Sequence, residues 1–444
     1  MTDVDVLVVG AGPAGLSAAA ELRRLGAGSV LVADREPAAG GIPRHSWHTG
    51  YGIGDLHRVM TGPAYARRLA GLAEAAGADL RVSTTVTSLS SGPEAMLTSP
   101  HGRERVTARA VLLATGCRER PRSARLVPGD RPAGVMTTGE LQQRVYLNGE
   151  QLPGRAVVAG AEHVSFSAAV TLAHAGADVV ALVTEHPHQQ SYAAFRLGAA
   201  LRWRVPVWTS SAIRRITGRG QLAGVEIADL VTGAARFVPC QTVVFTADWI
   251  PDHELARSAG LALDPGTRGP AVDTTLRTTA AGVYAAGNLI HAAETAGIAA
   301  LSGRHAARQI AAALVAPSAP SAPAALTAPS ALAAPSVRQS AAASAGPPAR
   351  QAAARVRVCA EAPLTWISPN AVPTAGPVPG PPLGRFTLRS SEFRPVARLD
   401  VRQDGRRLAL SRPVRLIPGR PVHLAAHWLA RVDPAGGPVL VTVA

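Results

Sequence analysis

A doubly wound α/β fold built on parallel sheets is what this sequence predicts, and three observations predict it. A β-branched run, Val4–Val9, turns through glycines into a stretch with helical spacing, Ala14–Leu25, and then into a second apolar strand, Val30–Asp34. Another strand of the same kind starts at Arg155 and ends in a glycine turn. A late strand, Val283–Ala286, runs through Gly287-Asn288 into a helical stretch from about Glu294 to Val315. Strands that alternate with helices across short turns give parallel sheets covered on both faces.

The chain has 444 residues, more than one core ordinarily serves, so two or three domains are expected. The predicted organisation places 1–122 and 246–315 in one discontinuous domain, with 123–245 inserted as a second. An apolar strand over 105–116 closes in Ala114-Thr115-Gly116. Residues 316–354 are rich in Ala, Pro and Ser and hold few large apolar side chains, so a flexible linker is expected there. Beyond it, short alternating runs (Phe386–Leu388, Ala397–Val401, Val422–Leu424, Val439–Val443) between Pro and Gly turns predict a small all-β module, 355–444, with a docking or stabilising role.

Hydrophobic residues make up 47% of the chain, which excludes wholesale disorder. The net charge is +15, and every basic residue is Arg. These arginines are scattered and aromatics are only 4%, so the clustered basic, aromatic-laced face of a nucleic-acid binder is missing. Cys117, Cys240 and Cys359 form no C-x-x-C pair, which excludes a vicinal redox dithiol and a four-cysteine iron–sulfur site within the chain. The N-terminus lacks the basic start and apolar core of a signal peptide. Prolines interrupt the Ala-rich stretch near 309–336, so no run spans a bilayer. A soluble cytoplasmic protein with no metal site and no transmembrane segment is the expectation.

Gly10-Ala11-Gly12-Pro13-Ala14-Gly15 stands between a strand and a helix, the context that gives a G-x-G-x-x-G motif meaning. Gly10 permits the tight turn, Gly12 lets backbone approach a pyrophosphate, and Gly15 lets helix and strand pack closely. The helix start then offers free N–H groups to the phosphates. Asp34, at the end of the second strand, is the acid expected to hold the ribose hydroxyls, with Glu36 as the fallback.

This fingerprint, with Ala114-Thr115-Gly116 and with the segment Thr278–Asn288 in that order, resembles the two-dinucleotide-domain flavoproteins of the pyridine nucleotide–disulfide oxidoreductase superfamily. The resemblance implies a Rossmann-like FAD-binding domain with an inserted NAD(P)-type domain. It also implies that the late Gly-Asp position, here Gly287-Asn288, faces the ribityl chain; Asn288 is neutral but still bonds a hydroxyl. The implied FAD-binding set is Gly10, Gly12, Pro13, Ala14, Gly15, Asp34, Arg35, Gly41, Ala114, Thr115, Gly116, Gly287 and Asn288.

The second turn departs from the pattern. It reads Gly160-Ala161-Glu162-His163-Val164-Ser165 and keeps only the first glycine, although Glu185 supplies an acid at the end of the next strand. A carboxylate 4 Å from a phosphate is repelled by roughly 4 kcal/mol at an effective dielectric of 20. The fold of a nicotinamide domain is therefore expected, with NAD(P) an open but disfavoured ligand.

Gly40-Gly41-Ile42-Pro43-Arg44-His45-Ser46-Trp47-His48 follows the ribose acid. His48, His45 and Arg44 are the candidate catalytic residues, as proton acceptor and anion clamp, because a flavin dehydrogenase must take a proton as hydride leaves. Holding the FAD phosphates or the sheet edge is their alternative role. Together with His48-x-Gly50-Tyr51-Gly52 and Thr61-Gly62-Pro63-x-Tyr65, this stretch is similar to a subgroup tied to anaerobic glycerol-3-phosphate dehydrogenase and to subunits of opine oxidase, hydrogen cyanide synthase and sarcosine oxidase. That resemblance implies oxidation of a small amine, amino-acid derivative or polyol phosphate. It also implies electron transfer to a partner, either a second flavoprotein or an iron–sulfur protein. The alternatives are a standalone NAD(P)H-dependent reductase and a non-catalytic, flavin-binding assembly protein. His291 and Glu294 are expected near the flavin, with helix capping the favoured task of Glu294, and Cys117 is expected to pack as a small apolar residue.

Overall fold

The structure is a computed structural model that describes residues 2–90, 92–192, 205–292, 294–315, 354–375 and 378–444. The stretch expected to be a linker therefore lies, over 316–353, outside the described residues. Among the described residues there are five helices of two turns or more: α1 (Pro13–Arg24), α2 (Gly62–Ala75), α3 (Thr138–Tyr146), α4 (His163–His174) and α5 (Ala296–Val315).

The first sheet is laid out around the N-terminal strand. In order across the sheet run Asp79–Arg81, Val30–Ala33, Thr2–Val9 and the long strand Gly102–Leu113, all parallel. The end of that long strand pairs in parallel with Val283–Ala285, and its beginning pairs antiparallel with the meander Thr85–Leu89 and Glu94–Ser99. Val6, Leu7, Val8 and Val30–Ala33 are fully buried, as an unbroken apolar run requires when helices cover both faces. Helix α5 lies along α1 at backbone distance. A Cβ on Gly303 would stand 2.0 Å from the Ala14 carbonyl oxygen, so only glycine allows that approach.

The second unit repeats the plan. Its parallel sheet runs Val135–Thr137, Thr242–Phe245, Gly154–Ala159, Ala177–Val183 and Val207–Trp208, and an antiparallel meander of three strands, 211–239, packs beside it. The two units are joined by a ribbon of Cys117–Glu119 against Trp249–Pro251. Asp248–His253 thus carries half of the crossover.

The C-terminal residues fold into β structure as expected, with a five-stranded and a three-stranded sheet around Phe386 and Trp428, whose rings stack at 4.9 Å. The run expected over Ala397–Val401 is two strands, Arg394–Ala397 and Leu399–Gln403, broken at Arg398. This module docks on the first unit. Asn370 exchanges two hydrogen bonds with the backbone of Val272, and Arg355 lies 3.5 Å from buried Asp273. Arg389 meets Glu294 at 3.1 Å, with both side chains about 5% exposed. No helix among the described residues is long and apolar enough to cross a membrane.

Leaving one member of a buried ion pair unpaired costs about 3–5 kcal/mol, more than the pair itself is worth. An Arg389→Ala variant is therefore expected to lose that much stability in denaturant titration. A Glu294→Gln, Arg389→Met double variant should recover most of it. Equal losses in the two variants would show that the contact is not electrostatic.

Candidate active site

The first glycine turn is shaped by contacts that exclude side chains. Gly10 has φ +106°, and a Cβ there would lie 2.5 Å from the Ala114 carbonyl oxygen. A Cβ on Gly15 would lie 1.9 Å from the Gly10 oxygen. Gly12 differs: a Cβ there meets no described protein atom within 4 Å, so the space above it is open. No side chain caps α1, whose N-cap is Gly12, and its first turn carries no acid. The helix start thus presents free N–H groups and a partial positive charge to a cavity of about 1810 Å³. That exceeds the 300–1,000 Å³ of an ordinary small-ligand site. It leaves room for a dinucleotide and a small substrate together.

Of the residues singled out in sequence, Gly10, Gly12, Pro13, Ala14, Asp34, Arg35, Gly41, Arg44, His45, His48, Ala114, Thr115, Gly116 and Asn288 all line this one cavity. Asp34, just past its strand, accepts the Ala11 N–H at 2.6 Å and the Glu36 N–H at 2.8 Å, which holds its carboxylate at the cavity edge. Gly40 donates its N–H to the Ala11 oxygen at 2.7 Å, and a Cβ on Gly41 would lie 2.9 Å from the Gly12 Cα. The Gly-Gly pair is what lets this strand cross the turn. Arg35 is largely exposed and reaches Asp252 at 3.4 Å. Thr115 donates its hydroxyl to the Asp252 carbonyl at 2.8 Å.

Gly15 and Gly287 do not reach the cavity. Gly287 packs α1 against α5: a Cβ there would lie 2.7 Å from the Ala14 Cβ, and its N–H donates to Ser302 Oγ at 3.1 Å. Asn288 borders the cavity, but its Oδ1 accepts from the Glu294 N–H and its Nδ2 donates to the Glu294 oxygen, both at 3.1 Å. Its side chain shapes the approach to α5, whose first residues Ala296 and Gly297 also line the cavity.

The candidate catalytic stretch closes the other end. Arg44 approaches Glu36 at 3.7 Å. His45 is 4% exposed and its Nδ1 has no hydrogen-bond partner among the described residues; burial pushes its pKa down to about 4, so the ring is neutral. His48 is half-buried, stacks on Tyr51 at 5.2 Å, and holds its Nδ1 2.9 Å from the Thr49 carbonyl oxygen. A carbonyl accepts only, so Nδ1 is the donor there and Nε2 is left facing other partners.

The joining ribbon and the second unit supply a wall that the sequence does not announce. Glu119 is 7% exposed, one oxygen accepts the Gly139 N–H at 2.9 Å, and the other has no hydrogen-bond partner among the described residues. Burial pushes its carboxyl pKa up. Glu162 lies on the same cavity, pushed up to about 8 by burial and then by Glu119. Gln142 and Thr137 of the α3 start complete this side. No motif marks Glu119; the only signal is its position just after Ala114-Thr115-Gly116.

The structure corrects three expectations. Glu294 does not cap α5, which begins at Ala296 behind Thr295, whose Oγ1 accepts the Ile298 N–H at 3.4 Å; Glu294 is consumed by Arg389. His291 faces away from the cavity and stacks on Trp366 of the C-terminal module at 5.2 Å, because that module covers this side. Cys117 stands in the cavity wall, half-buried, since its short strand has one face open to the cleft.

The depressed pKa of His45 has a sign that can be checked. The unfolded ring binds a proton below about 6.5 and the folded ring only near 4, so stability is complete above the upper value and drains away as pH falls through that window. Relative to a His45→Asn variant, the wild type should lose ground in denaturant midpoint between pH 7.5 and pH 5. A constant difference across that interval would contradict the burial of a neutral ring.

Comparison with known proteins agrees with this geometry. Residues 4–312 match the family model described as pyridine nucleotide-disulphide oxidoreductase. A subunit of the opine oxidase of Agrobacterium tumefaciens (strain Ach5) is 30% identical over 318 residues, which cover 64% of this chain and 61% of that protein. The alpha subunit of the sarcosine oxidase of Corynebacterium sp. (strain P-1) is 32% identical over 242 residues, 51% of this chain and 24% of that one. The chain thus spans less than two thirds of the length of these relatives. Among solved structures, T. acidophilum thioredoxin reductase superposes with a TM-score of 0.60 at 23% identity, over 70% of this chain and 99% of that one, a likeness of fold. The chain belongs to the pyridine nucleotide-disulphide oxidoreductase family.

Proposed function

We propose that this chain is one component of a dehydrogenase, oxidising a small amine or amino-acid derivative with FAD and passing the electrons to a partner protein in the cytoplasm. One observation carries the reading: a bare helix start over Gly12 and a histidine with an available Nε2 line the same cavity. The diphosphate of FAD fits over Gly12, where none of the described residues stands, and Asp34 is placed for its ribose. When bound there, FAD accepts the hydride.

The protein's own residues then do the rest. His48 Nε2 takes the proton that leaves the substrate nitrogen as the hydride leaves the adjacent carbon. The buried, unpartnered oxygen of Glu119, with Glu162 beside it, gives the substrate end an acidic character. That favours an amine over the polyol phosphate that the sequence left open, since an ammonium restores the charged form of these raised carboxyls and pairs with it, whereas a phosphate penalises that form. The relatives named as subunits support a partner for electron transfer. The absence of disulfides among the described residues fits a reducing compartment.

The test is an anaerobic titration of purified, yellow protein with sarcosine and other secondary amines of amino acids, with sn-glycerol 3-phosphate, and with NADH. Bleaching of the flavin by an amine, followed by turnover with an artificial acceptor, is expected. Rapid bleaching by NADH with no response to amines would defeat the proposal.

Two variants sharpen it. Gly12→Glu introduces a side chain that the folded protein accommodates but the diphosphate does not, so it should fold with normal circular dichroism and bind FAD about a thousandfold more weakly, as about 4 kcal/mol of repulsion requires. His48→Gln should keep the flavin spectrum and lower kcat/KM by about 10²–10⁴. A His48→Gln enzyme with full activity would remove this residue from the chemistry.

A further inference from the structure

The molecule contains two versions of one turn, which differ in what fills them. Gly160 stands where Gly10 stands, Ala161 where Ala11 does, and Gln190 where Gly40 does, all at one constant spacing. The Gln190 N–H donates to the Ala161 oxygen at 3.0 Å, just as the Gly40 N–H donates to the Ala11 oxygen. The crossing strand is therefore the same in both units, and by itself it leaves the first turn open.

What fills the second turn is side chains and a foreign segment. Glu162 replaces Gly12 and is the N-cap of α4. Ser165 replaces Gly15; its Oγ lies 2.6 Å from Thr246 Oγ1 and accepts the Glu162 N–H at 3.2 Å. Gln190-Ser191 replaces Gly40-Gly41. Over them sits the turn Ile417–Pro421 of the C-terminal module. A Cβ on Gly419 would stand in ordinary contact, 3.5 Å from Gln190 Nε2 and 4.0 Å from Glu162 Oε2, so this turn lies against the side chains that cover the helix start. Arg420 locks it down. Its Nε donates to the Gln190 oxygen at 2.6 Å, another guanidinium nitrogen donates to the Ser191 oxygen, and the group lies 4.3 Å over the Tyr192 ring. Tyr192 in turn packs on His163 at 4.4 Å and donates its N–H to His163 Nε2 at 3.3 Å.

We propose that the Ile417–Pro421 turn is a resident plug of the second dinucleotide site, seated where a pyridine dinucleotide would place its diphosphate. While the module is docked, the chain binds neither NAD(H) nor NADP(H) at this turn, where Gly419 and Pro421 form part of the wall of the same cavity that Gly12 lines. The clamp is removable in principle, because Arg420 holds backbone carbonyls and an aromatic face rather than a core residue.

The experiment uses the full-length flavoprotein and measures equilibrium binding of NADH and NADPH by calorimetry. The wild type should show no binding at about 1 mM nucleotide, and a Glu162→Gly, Arg420→Ala double variant that keeps its flavin colour should gain at least about tenfold in affinity over that limit. Binding of either nucleotide by the wild type overturns the plug, as does a yellow double variant that still binds neither. Should the double variant lose its flavin, Arg420→Ala alone decides the matter by amide hydrogen exchange over Glu162–Ser165. Exchange there rises at least about tenfold if the turn has lifted, and unchanged protection overturns the proposal.

Discussion

Backbone meets backbone at the first glycine turn, and the architecture follows from that contact. Gly10 touches the end of the long strand at Ala114, Gly15 touches Gly10, and Gly303 of α5 touches Ala14. Each approach is closer than a methyl group allows. Together they bring two helix starts and a strand end to one place, and the N–H groups of the α1 start are unspent on side chains. A ligand rich in negative oxygen is the natural complement, and the cavity wraps around that point.

The cleft beside it is chemically unlike the turn. Neutral histidines, buried carboxyls and aromatic rings line it, held by burial rather than by mutual pairing. Glu162 comes from the second unit, Glu119 from the joining ribbon, and His45 and His48 from the first unit, so this part of the cavity exists only where the units meet. The ribbon of Cys117–Glu119 and Trp249–Pro251 is the covalent means of that meeting, which is why Glu119 and Asp252 both border the cavity.

Most of the fold was legible because parallel strands buried on both faces announce themselves as unbroken apolar runs, and because Gly10, Gly12 and Gly15 occur where a strand becomes a helix. The open helix start over Gly12 was legible for the same reason. The facing wall was not. Glu119 lies in a three-residue strand with no periodicity to read, and its proximity to Glu162 comes only from folding one unit onto the other. Glu294 and His291 were misread because their partners, Arg389 and Trp366, lie far downstream in a module whose docking face has no local signature.

That module grips both units at once. Asn370, Arg355 and Arg389 hold the first, and Arg420 holds the second. A third body bolted to two others removes their freedom to swing about a shared ribbon. The cleft is therefore a fixed chamber rather than a pair of jaws, and traffic through it falls to whatever molecules are small enough to diffuse in and out.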